Sequence, residues 1–155
     1  MNAMNAPPPP ALHGNHSKVV RHNGDFTWAG VPLEPYKDTT EFWKGITRRE
    51  LSGKRGESMN FHVRYFEIAP GGFSTLEKHH HEHVVIPIRG QGEVQFGCFI
   101  YQVAMGDVVY IAPDDPHQFR NPEHHHEPFG FLCIVNAERD PPMPVDGVGM
   151  CYICE

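Results

Sequence analysis

Glu77-Lys78-His79-His80-His81-Glu82-His83 packs four histidines and two glutamates into seven residues. Its odd positions, Glu77, His79, His81 and His83, all carry metal-binding groups. Alternate side chains of a strand point to one face, so Glu77 and His79 can reach a single ion together. Four successive alternate residues on a straight strand cannot, because at ~3.3 Å of rise per residue their ends lie roughly 20 Å apart. If His83 shares the ion, the chain turns at His80–Glu82 and His83 opens the next antiparallel strand, opposite His79. A turn placed differently would bring in His81 in place of Glu77. His80 has the opposite parity and is expected outside.

The rest of the chain supplies strands to frame that turn. Phe61–Ala69 alternates aromatic and β-branched residues with polar ones and is closed by Pro70-Gly71-Gly72. Phe73–His79, His83–Arg89, Glu93–Phe96, Phe99–Val103, Val108–Ala112, Gln118–Arg120 and Phe129–Asn136 follow, separated by Gly90, Gly92, Gly97, Gly106 and the Pro113–Pro116 segment. Upstream, Phe26–Leu33 and Gly45–Glu50 are further strand candidates, and Asp38–Gly45 is the one short helical candidate. Many short strands with Gly and Pro between them indicate an all-β sandwich or barrel. The expected organisation is a Pro-rich leader over 1–22, a barrel over 23–140, and an extension over 141–155 ending in Cys151-x-x-Cys154. The extension packs outside the barrel or crosses to a partner.

The spacing around the histidines resembles the cupin superfamily. Gly71 is followed after five residues by Glu77, then Lys78, His79, three residues, His83, six residues and Gly90. That is the interval pattern of the first cupin motif, with the first histidine and the glutamate exchanged. Gly106, Ala112, Asp114, His117 and Asn121 fall at the positions of the second motif, its proline displaced to Pro113. The resemblance runs from about Tyr65 to Val135 and implies a double-stranded β-helix, the jelly-roll cupin barrel. It further implies that Glu77, His79, His83 and His117 bind one metal, with His117 arriving from a distant strand and His81 as the alternative to Glu77. A homodimer is also implied by the resemblance.

Three imidazoles and one carboxylate form a mixed N/O donor set that suits Mn, Fe, Ni, Co, Cu or Zn and gives Ca or Mg little advantage. An open coordination position permits Lewis-acid or oxygen chemistry on a small organic molecule. A dioxygenase-type oxidoreductase is the first expectation, a redox-neutral isomerase or lyase the second. A non-catalytic ligand- or metal-binding module is the third.

Composition narrows the field. At 155 residues the chain fits one domain. A net charge of −6 with scattered Lys and Arg lacks the basic stripe of a nucleic-acid surface. No apolar run approaches the ~20 residues of a membrane span, and the start lacks the pattern of a secretory signal. The four cysteines are too few and too irregular for a disulfide framework and are read as reduced thiols, so a cytoplasmic location is expected. Cys133 approaches the metal cavity if Phe131, Cys133 and Val135 face inward. His124–His126 reads as a solvated loop and Asn121 as a turn-holder. His62, Arg64, Tyr65 and Arg89 are candidate partners for metal-bound histidines.

Overall fold

The structure is a computed structural model that describes residues 11–39 and 42–145. It contains β1 (Glu34–Pro35), β2 (Lys44–Ser52), β3 (Phe61–Phe73), β4 (Glu77–Lys78), β5 (His83–Arg89), β6 (Gln91–Phe96), β7 (Phe99–Ala104), β8 (Val109–Ile111), β9 (His117–Arg120), β10 (Phe129–Asn136) and β11 (Met143–Pro144). Every pairing is antiparallel, and the strands curl into one continuous sheet in the order β11-β4-β9-β3-β10-β5-β8, with β2 joined to β3 and the β6–β7 hairpin joined through β9. No described residue is helical, and no helix is long and apolar enough to cross a membrane. The all-β expectation holds, as a curled antiparallel barrel.

The sheet curls around a core because its inner face is apolar with a period of two. On β10, Phe129, Phe131, Cys133 and Val135 are buried and meet Phe66 and Ile68 of β3, Val85 of β5 and Phe119 of β9. The opposite parity of the same strands feeds a second cluster on the outer face. There Val63, Tyr65, Ile88 and Leu132 lie beneath Leu12, Val20, Phe26 and Trp28. Tyr65 donates to Glu67 at 2.7 Å, and Arg89 pairs with the same carboxylate at 2.9 Å. These two residues therefore belong to the outer side, away from the histidines.

Sharp turns keep the strands short. Gly90, between β5 and β6, has φ 62°, and a Cβ there would strike the Pro128 carbonyl oxygen. Only glycine meets both conditions.

Several segments differ from the sequence-based expectation. Phe26–Leu33 is not a strand, because Phe26 itself sits at φ 61° between Gly24 and Gly30, also at positive φ. It folds over the barrel instead, with Trp28 4.9 Å from the Tyr65 ring. Residues 11–22, expected to be part of a leader, lie against the same outer face, where Gly14 N donates to Arg55 O at 2.8 Å. The helical candidate Asp38–Gly45 gives no helix among its described residues: Phe42 has φ 67° and β2 starts at Lys44. Phe73–His79 breaks after Phe73 and resumes only as β4. Beyond β10 the chain returns to its own barrel, β11 pairing with β4 through Met143↔Lys78 and Pro144↔Glu77. Cys151 and Cys154 lie outside the described residues.

Phe129 is 0% exposed and Phe99 64% exposed. Phe129→Ala should lower the unfolding free energy by about 3–5 kcal/mol through a buried cavity. Phe99→Ala should change it by less than about 0.5 kcal/mol. Urea denaturation of both variants checks the contrast.

Candidate metal centre

The histidine turn is built as its parity demands. β4 ends at Lys78, His79 follows at its edge, residues 80–82 turn, and His83 opens β5. Asp140, four residues past β10, clamps this turn. Its carboxylate accepts the backbone N–H groups of His80 and His81 at 2.8 and 3.1 Å and takes the His81 Nδ1 hydrogen at 2.8 Å. Those bonds, the His80 amide foremost, hold the Asp140 carboxyl well below the usual carboxylate range. His80 points out and pairs with Asp114 at 2.6 Å.

His117 comes from β9, which is brought beside the turn by the Glu77↔His117 pairing of β4 and β9. The three imidazoles of His79, His83 and His117 are buried, and their potential ligand atoms all lie within 4.8 Å of one another. Among the described residues this is the only such cluster of three or more potential ligands. His124–His126 forms no such cluster, and His125 instead contacts Asn121 at 2.9 Å. Asn121 donates to Ile68 O and Glu127 O, both at 2.9 Å, which is the turn-holding role read from the sequence.

Each ring is oriented by its Nδ1. His79 Nδ1 donates to His81 O at 2.7 Å, and His117 Nδ1 donates to Asp115 O at 2.8 Å. A carbonyl only accepts, so the hydrogen resides on Nδ1 and the Nε2 lone pair is left free. His83 Nδ1 lies 3.2 Å from Cys133 Sγ. His79 Nε2 and His83 Nε2 are 2.7 Å apart, a contact held by a proton on His83 or by an ion bound to both nitrogens. Two nitrogens that each sit about 2.1 Å from one ion come within about 3 Å of each other, so the spacing fits a shared cation.

Burial makes these rings neutral. It pushes His79 down to about 4, with the neighbouring His117 adding to the effect. His83 is lowered by burial and then by His117 and His79, and His117 is lowered chiefly by burial. Neutral imidazole is the metal-binding form. The cluster is therefore compatible with metal binding in its donor type, protonation and orientation.

Glu77 and His81 line the same cavity but stand apart from the convergent three. The Glu77 carboxylate is engaged by Lys37 at 2.5 Å, and Lys37 also donates to Thr75 at 3.2 Å. His81 stacks flat on His79, with ring centroids 3.8 Å apart.

The cavity itself has a volume of about 400 Å³. Phe66, Phe119 and Phe131 form its apolar wall, the Phe119 and Phe131 rings lying 4.9 Å apart. Cys133 faces inward, its thiol pushed up by burial against the opposing pull of Arg64. Of the four strand residues proposed as histidine partners, Arg64 reaches the cavity, with Nη2 3.4 Å from Cys133 Sγ. His62 contacts Arg139 at 3.1 Å. Sequence reasoning missed Tyr36, Lys37, Arg48, Arg139 and Asp140, all of which line the cavity. Arg48 had a usable signal in the inward parity of Ile46 on the same strand, whereas Arg139 and Asp140 sit in a segment without periodicity.

Comparison with known proteins agrees with the fold. A family model described as cupin domain matches residues 64–135. The chain is 42% identical over 118 residues to a Rhodospirillum rubrum protein named 1-methylthio-D-xylulose 5-phosphate methylsulfurylase, covering 76% of this chain and 73% of that one. It also superposes on a crystal structure of a cupin-2 domain protein from Rhodospirillum rubrum at 38% identity and a TM-score of 0.74, covering 83% of this chain and 84% of that one. A cupin 2 conserved barrel domain protein from Rhodopseudomonas palustris gives 38% identity and a TM-score of 0.75, with 84% and 88% covered. Barrel, motif spacing and relatives agree: the chain belongs to the cupin family.

Proposed function

We propose that the protein is a metal-dependent enzyme acting on a small carbonyl compound that carries a carbon–sulfur bond. His79, His83 and His117 would hold one divalent transition ion, with Glu77 as the fourth ligand and His81 as its alternative. The observation that carries this reading is the convergence of three neutral, oriented imidazoles within one cavity. Such a donor set accepts Mn, Fe, Ni, Co, Cu or Zn. When bound, the ion supplies Lewis acidity toward a substrate oxygen.

The chain's own residues prepare the reaction space. Phe66, Phe119 and Phe131 exclude water, which strengthens every electrostatic contact inside. Tyr36 is kept protonated by burial and by the Glu77 charge, so its hydroxyl is a neutral proton donor at neutral pH. The substrate class is supported by the relative named for a methylthio-substituted xylulose phosphate. Oxygen chemistry of the dioxygenase type is the second reading, favoured by the apolar aromatic wall beside the histidines.

Elemental analysis should find about one transition ion per chain, with tight binding lost in His83→Ala and in His117→Ala. His125→Ala should retain the ion, because its ring belongs to the outer loop. Loss of the ion on deleting His124–His126, with His117→Ala unaffected, would refute the assignment.

The reaction class is tested with the reconstituted protein and 1-methylthio-D-xylulose 5-phosphate, with and without an added thiol, in air and under argon. The C–S reading expects substrate loss at equal rates in both atmospheres. Stoichiometric oxygen uptake on an electrode would replace it with the oxygenase reading. An inert substrate in every arm, with the ion bound, would leave a binding module.

A further inference from the structure

Arginine is the residue that the proposed chemistry does not use and the cavity nevertheless collects. Arg48, Arg64 and Arg139 line the cavity that holds the histidines. Arg48 is offset by Glu50 at 3.4 Å and, more distantly, by Glu34 at 3.9 Å. Lys37 is offset by Glu77. Among the described residues, Arg64 and Arg139 make no ion pair of this kind. Arg64 touches the neutral Cys133 thiol at 3.4 Å and lies over the Phe66 ring at 4.8 Å, and its Nε is buried without a hydrogen-bond partner. Arg139 donates to His62 Nδ1 at 3.1 Å and Asn136 O at 2.7 Å, both neutral acceptors.

Arg64 and Arg139 face the same cavity and share its electrostatic environment. Burial and then the Arg64 charge lower the Arg139 pKa, partly opposed by Glu50. Two guanidinium groups lining one cavity repel, and the arrangement is relieved by an anion lying across both. Planar guanidinium forks match the oxygens of phosphate, which offers more acceptors than a carboxylate.

We propose that Arg64 and Arg139, with Arg48 beside them, form an anion subsite that receives the phosphate of a sugar phosphomonoester while its carbonyl end lies against the histidine cluster. This assignment deepens the proposed function and rests on it for the carbonyl end alone. A volume of about 400 Å³ lies within the range of small-ligand sites. The apolar wall of Phe66, Phe119 and Phe131 in the same cavity suits a short carbon chain.

The test is calorimetric titration of D-xylulose 5-phosphate, D-xylulose, inorganic phosphate and malate into the metal-loaded and the chelator-treated protein. The sugar phosphate should bind at least about tenfold more tightly than the free sugar, since charged hydrogen bonds of this kind each contribute on that scale. Arg64→Gln and Arg139→Gln should each weaken it roughly tenfold. Arg89→Gln, on the outer face with Glu67, should leave it unchanged. Inorganic phosphate should compete and malate should not. Arg139→Gln, beyond the end of β10, serves if Arg64→Gln fails to fold.

Phosphate binding that survives chelation and falls in the arginine variants supports the subsite, whether or not the metal assignment stands. Equal affinity for sugar and sugar phosphate in metal-loaded protein overturns the subsite and leaves the metal centre intact. Competition by malate as strong as by phosphate assigns the arginines to a carboxylate and overturns the phosphomonoester. A loss in Arg89→Gln equal to that in Arg139→Gln reduces the effect to general surface charge and overturns it as well.

Discussion

Everything at the open end of the barrel depends on keeping three imidazoles neutral and aimed at one point. The aim comes from hydrogen bonds at Nδ1, two of them to carbonyls that can only accept. The neutrality comes from burial by the same residues that close the core. Phe119 follows His117 by two residues on β9, and Phe131 precedes Cys133 by two on β10, so wall and ligands share one strand face. Packing and chemistry are thus one constraint. A strand slipped by a single residue would turn the phenylalanines and His117 outward together.

Register is therefore fixed redundantly. β3 pairs with β10 over eight residues and with β2 over most of its length, which sets the facing of Arg64 and Phe66. β10 carries that register to β5, placing Val135 opposite His83 and Cys133 opposite Val85. The second histidine segment is set independently through β4 and β9. Asp140 ties the turn to the end of β10, and β11 continues the tie along β4. The histidine turn, a loop by itself, is held at both ends by sheet.

Much of this was legible because period-two patterning leaves a strong trace. The alternation in Phe61–Ala69 and Phe129–Asn136, the glycine at 90, and the interval from Glu77 to His83 each reflect a backbone requirement. The outward facing of His80 followed from parity alone, whereas parity tied Cys133 to Phe131 and Val135 without deciding which face the three take. What was not legible depends on contacts between segments far apart in sequence. Lys37 meets Glu77 across forty positions, and nothing near either residue announces the pair. Arg139 and Asp140 sit in a Pro-rich segment whose return to β4 is decided by tertiary packing. Phe26–Leu33 has strand composition, yet its positive φ values bend it over Tyr65.

Cys133 stands between the histidine cluster and Arg64. Its sulfur touches His83 Nδ1 on one side and Arg64 Nη2 on the other. An aspartate there would orient His83 more strongly, but it would also pair with Arg64 and cancel its charge. A lysine would repel both Arg64 and a bound cation. An apolar residue would leave the buried His83 Nδ1 without a partner, at a cost of about 1–3 kcal/mol. A thiol kept neutral by burial avoids all three conflicts, since it contacts the ring and leaves the guanidinium charge unspent. The side chain at this position therefore joins the neutral nitrogen donors of the cavity to its arginines without introducing a charge of its own.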